Sequence, residues 1–540
     1  MWTPQGGAFM AKKSSEIKNV WMVTREYDGL AGAGGVKDVC KQLSHALTRA
    51  GIKITVVMPL YGMMNKERLN LKPTSYSFNV RMDYTGEERQ EEVCTWKLTQ
   101  GKVRILFVDS ARFSEKKGVY TYTAEEEAQD PSHKQGGGHY DYFAMNVLLQ
   151  KAALELMIYM DERPEIIHCQ DGHTAIMPAI IREVDGYRAY FAGTGALVTV
   201  HNAGVGYHQE VGDLSFARAI TGLPGYVIEH SLLHNAFDPF IAAARYAVIN
   251  TVSENYAREL QETEADRLTG WLGHSLKSRG IVLEGVTNGI DPEDFDPEKP
   301  EKLGIPAAFS PLKDDFQGKE ICKKTLIEDI NRRKFEKVNA IGRIDYAAGK
   351  PLLTMVGRLT EQKGVDILVR ALQMLMPKDK EFQALILGSG SRHIENSLAT
   401  LAGLPENRGR MAVLFGYDPV LANQIYAAGD FFVIPSQYEP CGLTDFMAQL
   451  MGNVPIVHLT GGLVKVIDGQ TGFGYTDHNP EALVQTIEKA LAIYRDPPAV
   501  LRQIQRKAVE AIDSHYTWDR VLGRYISLYK KAQNISKLNR

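Results

Sequence analysis

A chain of 540 residues, 44% of them hydrophobic, is longer than one hydrophobic core ordinarily serves, so two domains of roughly 250 residues each are expected. Its 62 Lys and Arg are balanced by 65 Asp and Glu, a formal charge of −3, which leaves no general cationic field for nucleic acid or an anionic membrane. The five cysteines, Cys40, Cys94, Cys169, Cys322 and Cys441, never fall in a CxxC pair, no run approaches the ~18 apolar residues of a membrane span, and the first residues lack a signal peptide's apolar stretch. A reducing, cytoplasmic setting is the expectation.

In chain order, residues 1–18 read as a flexible extension, with Met10 of "MAKKSSEIK" as an alternative start. Short apolar runs then alternate with helical-period segments: "NVWMVT" with "GVKDVCKQLSHALTRAG", then "IKITVVMPL", "KVRILFVDS", the long segment Tyr140 to Met160, "EIIHCQD", "ALVTVHN" and "YAVINTVS". This is the rhythm of parallel strands joined by crossover helices. The run "TSYSFNV…EEVCTWKLT" interrupts it with two alternating strands, read as an antiparallel insertion at one edge. These elements make a first domain over 19–290. The Pro-, Gly- and Asp-rich "GVTNGIDPEDFDPEKPEKLGIPAAFSPLKDD" introduces a linker and insertion over 291–350. A second cycle, "PLLTMVGRL", "FQALILGSG", "MAVLFGY", "DFFVIPS" and "VPIVHLT", fills 351–515, and an amphipathic helix over 516–540 is expected to cross the domain junction. The fold class is α/β, with two Rossmann-like, doubly wound domains.

Ligands of open α/β sheets bind beyond the carboxyl ends of the strands, and four such ends in the second half carry chemistry. "GRLTEQKG" supplies Arg358 and Lys363, a planar fork and a point charge that together match two phosphate charges. An Arg/Lys pair in a loop is on its own ordinarily solvated surface; the coincidence with "SGS", Tyr417 and "EPCGL" at the neighbouring strand ends favours the phosphate site. Glu439 would repel phosphates, so its better partners are sugar hydroxyls, while the amides of Cys441, Gly442, Leu443 and Thr444 face the anion. The plainer alternative, a first-turn Glu favoured by the helix dipole, stands beside this reading.

The segments "TVSENYAREL", "NGIDPEDFDP", "GRLTEQKGVDIL", "GYDPVLANQIYAAGDFFVIPSQYEPCGL" and "PIVHLTGGL…GQTGFGY" resemble the bacterial glycogen synthases and plant starch synthases, from about Asn19 to the C-terminus. The resemblance implies a GT-B architecture, two Rossmann-like domains facing a cleft, and transfer of glucose from a nucleotide-sugar with retention at the anomeric carbon. It implies Arg358 and Lys363 at the diphosphate, Glu439 over the donor sugar, and Tyr417 stacked on adenine, which favours ADP-glucose over UDP-glucose. It further implies Asp171 on the acceptor side and His201 beside the reacting sugar carbon, with a glucan or oligosaccharide as acceptor and no essential metal or other cofactor. His168, His173 and His208 are expected to be structural; they do not form a zinc spacing.

The first half departs from the family's pattern. The Gly-rich loop "GLAGAGGVKDV" lets the amides of Gly34 and Gly35 approach a phosphate, yet Gly32 stands where the family carries a lysine, and Lys37 lies too far along the helix to be assumed a substitute. Gln437 replaces an Arg, Lys465 an Asp, and "HNAGVGYHQ" a different loop. A related transferase with another donor or acceptor, or a weakly active glucan-binding homologue, therefore stays open. An NAD-dependent oxidoreductase would need its third glycine at residue 37, which is Lys, and an acid where the second strand ends in Pro59. A metal-dependent transferase would need a strand-end DxD, and Asp294-Phe295-Asp296 lies in the linker.

Overall fold

The computed structural model describes residues 17–495 and 498–538. The extension read over 1–18, with Met10, lies outside the described residues except for its last two positions. The chain divides into two compact units: residues 1–200, 204–249 and 522–540, and residues 201–203 and 250–521.

In the first unit, strands β1 (Asn19–Val23), β2 (Lys53–Pro59), β3 (Lys72–Arg81), β4 (Gln90–Gln100), β5 (Val103–Asp109), β6 (Ile166–Gln170) and β7 (Gly195–Val200) lie in the order β7-β6-β1-β2-β5-β4-β3. β1, β2, β5, β6 and β7 are parallel to one another. β3 and β4 run antiparallel at the edge, as the alternating sequence predicts. β6 and β7 are buried at every residue, the mark of strands covered on both faces, whereas β4 alternates because one face meets solvent. Helix Tyr142–Tyr159 is buried without a break from Phe143 to Leu154, so it is a core helix rather than an amphipathic one. The C-terminal helix Trp518–Leu538 joins this unit from Leu522 onward. Its buried Tyr529 hydroxyl lies 3.0 Å from His168 Nδ1, and His168 Nε2 lies 2.8 Å from Thr199 Oγ1, so His168 is a packing histidine.

A two-strand hairpin joins β8 (Leu232–Leu233) to β9 (Ala236–Phe237), and β10 (Val248–Thr251) pairs in parallel with β11 (Glu284–Gly285). The second unit holds a sheet of β12 (Val338–Ile344), β13 (Leu352–Val356), β14 (Gln383–Gly388), β15 (Arg410–Gly416), β16 (Phe431–Ile434), β17 (Val454–His458) and β18 (Phe473–Tyr475), in the order β12-β15-β14-β13-β16-β17-β18. Only β12 is antiparallel to its neighbour. Successive side chains of a strand point to opposite faces, and the two cores divide accordingly. Ala384, Ile386, Phe431 and Val433 join helices Val365–Leu375, Arg392–Gly403 and Pro480–Arg495, while Leu385, Leu387, Phe432 and Ile434 join helices Gln317–Asn331 and Pro419–Ala428. Residues 291–350 supply Leu303, Ile305, Phe309 and helix Gln317–Asn331 to this second core.

The strand orders locate the switch points. In the first sheet the chain proceeds from β1 to β2 on one side and returns to β6 on the other; in the second, β13 is flanked by β14 and β16 in the same way. The loops after β1 and β6, and after β13 and β16, are therefore the ones a doubly wound sheet opens to ligands. Among the described residues, no helix is long and apolar enough to cross a membrane.

Candidate active site

At the switch point of the second sheet, Arg358 follows β13 by two residues and Lys363 lies five further on. Gly364 has φ +65, and a Cβ there would run into the carbonyl of Pro435, so only glycine lets the β13 loop lie against the β16 loop. The Gln437 amide seals the contact by donating to the Gln362 carbonyl at 2.9 Å. This approach brings the Lys363 Nζ to 2.6 Å from Glu439 Oε2, which also accepts from Ser436 Oγ at 3.0 Å. Burial pushes the Glu439 carboxyl up, but the Lys363 ammonium and the Ser436 hydroxyl outweigh burial and hold it below its ordinary value. Glu439 is thus ionised, half-buried and oriented. Arg358 is exposed, with Nη2 3.4 Å from Gln362 Oε1. Tyr417, directly after β15, leaves 63% of its surface open.

Beyond Glu439, residues Cys441 and Gly442 are buried and Leu443 and Thr444 half-buried, ahead of the short helix Thr444–Leu450. Burial raises the Cys441 thiol to about 11, so it is protonated at neutral pH. Several residues that sequence reasoning missed hold this turn. Ser253 Oγ donates to the Pro440 carbonyl at 2.7 Å, the Gly462 amide to the Glu439 carbonyl at 2.9 Å, and the Gly461 amide to both oxygens of Glu259 at 2.9 and 3.1 Å. These ties place "TVSENYAREL" and "TGGL" against "EPCGL". Lys465, noted above only as a departure, lies 3.1 Å from a carboxylate oxygen of fully buried Asp445. Burial raises Asp445 to about 6, against the pull of Lys465.

His201 directly follows β7 and is counted with the second unit. It is 7% exposed, and burial drives its imidazole down to about 3, so it is neutral near pH 7. A neutral imidazole offers one N–H and one lone pair.

The loops at the first sheet's switch point are organised differently. Glu26, three residues past β1, turns its carboxylate into the Gly-rich loop: Oε2 accepts from the amides of Ala33 and Gly34 at 2.7 and 3.0 Å, and Oε1 from the Tyr120 hydroxyl at 2.6 Å. The Gly34 amide, expected to face a phosphate, faces this internal carboxylate instead; Gly35 is the residue from which helix Val36–Arg49 starts. Lys37 folds its stem over the Cα of Gly32, filling the space a side chain there would enter, and sets its ammonium 3.1 Å from Asp28 and 2.8 Å from Asp38. Arg25 fixes the neighbourhood through Tyr61 Oη at 3.0 Å and Asn146 Oδ1 at 3.1 Å, and lies 5.1 Å above the Tyr120 ring, which stacks on His173 at 4.7 Å.

Asp171, at the end of β6, is 4% exposed and has φ 64 and ψ −179, a region almost reserved for glycine that costs about 1–3 kcal/mol. Its amide donates to the Thr199 carbonyl at 2.9 Å and its carbonyl accepts from the Thr174 amide at 3.2 Å, which sustains the strain. His208 Nδ1 lies 2.8 Å from Oδ2 of buried Asp238.

Comparison with known proteins joins these observations. Residues 19–274 match the family model described as the starch synthase catalytic domain, and residues 350–492 the one described as glycosyl transferases group 1. A glycogen synthase of Syntrophotalea carbinolica is 30% identical over 534 residues, spanning 95% of this chain and 99% of that one. A glycogen synthase of Anaeromyxobacter sp. is 31% identical over 523 residues, spanning 95% and 98%. Among solved structures, the catalytic domain of starch synthase IV from Arabidopsis thaliana, bound to ADP and acarbose, shares the fold with a TM-score of 0.79 at 24% identity, covering 96% of this chain and 99% of that one. Sucrose-phosphate synthase from Thermosynechococcus elongatus follows at a TM-score of 0.53 and 16% identity, covering 95% and 98%.

Proposed function

The chain belongs to the glycogen and starch synthase family of GT-B glycosyltransferases, and from that premise we propose that it transfers glucose from ADP-glucose to the non-reducing end of an α-1,4-glucan, with retention of configuration. The observation that carries the reading is the Lys363–Glu439 contact of 2.6 Å at the switch point of the second sheet. A carboxylate held ionised there accepts hydrogen bonds from sugar hydroxyls. The adjacent ammonium and the exposed Arg358 guanidinium meet the charge that grows on the departing diphosphate, an electrostatic contribution that is the largest single term in many such sites. The amides of Cys441, Gly442, Leu443 and Thr444 supplement these cations, and the open face of Tyr417 suits a purine.

Neutral His201 supplies a hydrogen bond to the donor sugar without adding charge, which fits an imidazole kept unprotonated by burial. Asp171 serves the acceptor side, where backbone strain fixes the start of its loop. Gly34 and Gly35 are the amides offered to a donor phosphate, and for this Glu26 must yield that of Gly34. With two cations provided by the chain, the reaction as proposed requires no metal, so activity should persist in a chelator. The five cysteines, none in a disulfide, support a cytoplasmic setting.

The test is nucleotide release from ADP-glucose, UDP-glucose and GDP-mannose, with and without a malto-oligosaccharide primer, followed by sizing of the primer. Primer-dependent ADP release with elongation is the expected result. Release from another donor, or elongation of none, would move the chain to a different donor–acceptor pair. Glucan binding without turnover would make it a binding homologue.

A further inference from the structure

Lys465 closes the turn Gly461–Lys465 that follows β17, and its side chain is 6% exposed. Its ammonium lies 2.6 Å from the Cys441 carbonyl, 2.8 Å from the Gly442 carbonyl, 3.1 Å from the Gly462 carbonyl and 3.1 Å from Asp445 Oδ2, over the Phe446 ring at 4.4 Å. An ammonium has three N–H donors, so these acceptors use all of them. The buried charge is matched by one buried carboxylate and spent on the backbone of two turns.

We propose that Lys465 is a positioning residue for donor binding, holding the segment Glu439–Asp445 in the conformation that meets the nucleotide-sugar; the inference rests on the donor site assigned above. The geometry behind it is that of the peptide unit. The carbonyl of Cys441 and the amide of Gly442 belong to one planar trans group and point in opposite directions, as do the carbonyl of Gly442 and the amide of Leu443. By gathering both carbonyls on its own side, Lys465 turns the Gly442 and Leu443 amides to the other. Gly442 takes φ +72 to permit this, and a Cβ there would lie 2.9 Å from Asp445 Oδ1 and 3.2 Å from Lys465 Nζ.

The same clamp reaches Glu439. The Gly462 amide, whose own residue's carbonyl is bound by Lys465, donates to the Glu439 carbonyl at 2.9 Å. The Glu439 carboxylate is held from its other side by Lys363 and Ser436. Releasing Lys465 therefore loosens the backbone of Glu439 while leaving its side-chain partners in place, so donor binding should suffer and primer binding should not.

Three variants test this by calorimetric ADP binding, kinetics and thermal unfolding. Lys465→Met alone leaves Asp445 as an unpaired buried charge, so the Asp445→Asn/Lys465→Met double variant, which removes both charges together, guards against a simple folding failure. In the double variant the expected result is an ADP Kd raised ~10-fold and a kcat/KM for ADP-glucose lowered by roughly 10²-fold, with the KM for malto-oligosaccharide unchanged. Lys465→Arg, which keeps a cation with several donors, should recover part of the ADP affinity. Unchanged ADP affinity in Lys465→Met or in the double variant, whichever unfolds cooperatively, overturns the proposal, as does an equal rise in the KM of both substrates. Failure of wild-type protein to bind ADP would instead overturn the donor-site assignment.

Discussion

The two switch points present the same parts in different states. Each sheet offers a glycine-bearing loop after its switch-point strand, β1 in the first and β13 in the second, and an acid nearby. In the second unit the acid and the cation come from different loops: Glu439 after β16 meets Lys363 after β13 at 2.6 Å, and exposed Arg358 stands in the same loop as Lys363. In the first unit the acid folds back on its own loop, with Glu26 accepting from Ala33 and Gly34. A side-chain pair opens by rotating two side chains. An amide pair bonded to a neighbouring carboxylate opens only by moving that carboxylate or the backbone. The second site is thus poised to exchange partners, and the first is internally satisfied.

The largest effect should come from breaking the exchangeable pair. Glu439→Ala removes the sugar's acceptor and leaves Lys363 free to bind phosphate, so kcat should fall ~10²-fold or more while ADP binding is retained or tightened. Steady-state kinetics with calorimetry on the same protein measures both. Near-normal turnover would remove Glu439 from the proposed role, and weakened ADP binding would mean that Glu439 shapes the phosphate site rather than opposes it.

An intermediate effect is expected at the satisfied site. Glu26→Gln keeps one carbonyl oxygen for the two amides but replaces the oxygen that accepts from Tyr120 with an amide nitrogen and loses the charge, and hydrogen bonds to charged groups contribute about 1.5–3 kcal/mol. The unfolding free energy should drop by up to that amount in denaturant titration, with ADP affinity unchanged. A rise in ADP affinity would instead make the Gly34 amide a phosphate ligand screened by Glu26.

Sequence legibility follows the same division. The strands of both sheets were readable because β6, β7, β14 and β16 are covered on both faces and so form unbroken apolar runs, and the β3–β4 insertion because one of its faces is wet. Arg358, Lys363 and Glu439 were readable because their loops directly follow such runs. Glu26 was not, because its Tyr120 partner is 94 residues away and nothing local marks a Glu that caps a loop eight residues ahead. Lys465 showed only as an odd residue, since its significance lies in carbonyls 23 and 24 residues upstream. Residues 291–350 read as a linker from their Pro, Gly and Asp content, a composition that does not reveal that Leu303, Ile305 and Phe309 are buried in the second core.

The smallest expected effect is an absence of change, at His201. Its imidazole lies at about 3 rather than the ordinary 6.5 because burial penalises the charged form. Between those values the unfolded chain takes up a proton there and the native chain does not. The stabilisation linked to this histidine is therefore complete above about pH 6.5 and is lost as the pH falls toward 3. Over the range from about pH 7 to 8.5, in which an ordinary histidine is already mostly neutral, and down through about pH 6, in which it would titrate, the rate should show no inflection from this group. His201→Asn keeps an uncharged N–H donor and should leave the shape of the pH–rate profile unaltered while lowering its height. An inflection between about pH 6 and 7 that disappears in His201→Asn would show the imidazole charging during turnover. The second site would then gain a third cation and lose the neutral hydrogen bond proposed for its donor sugar.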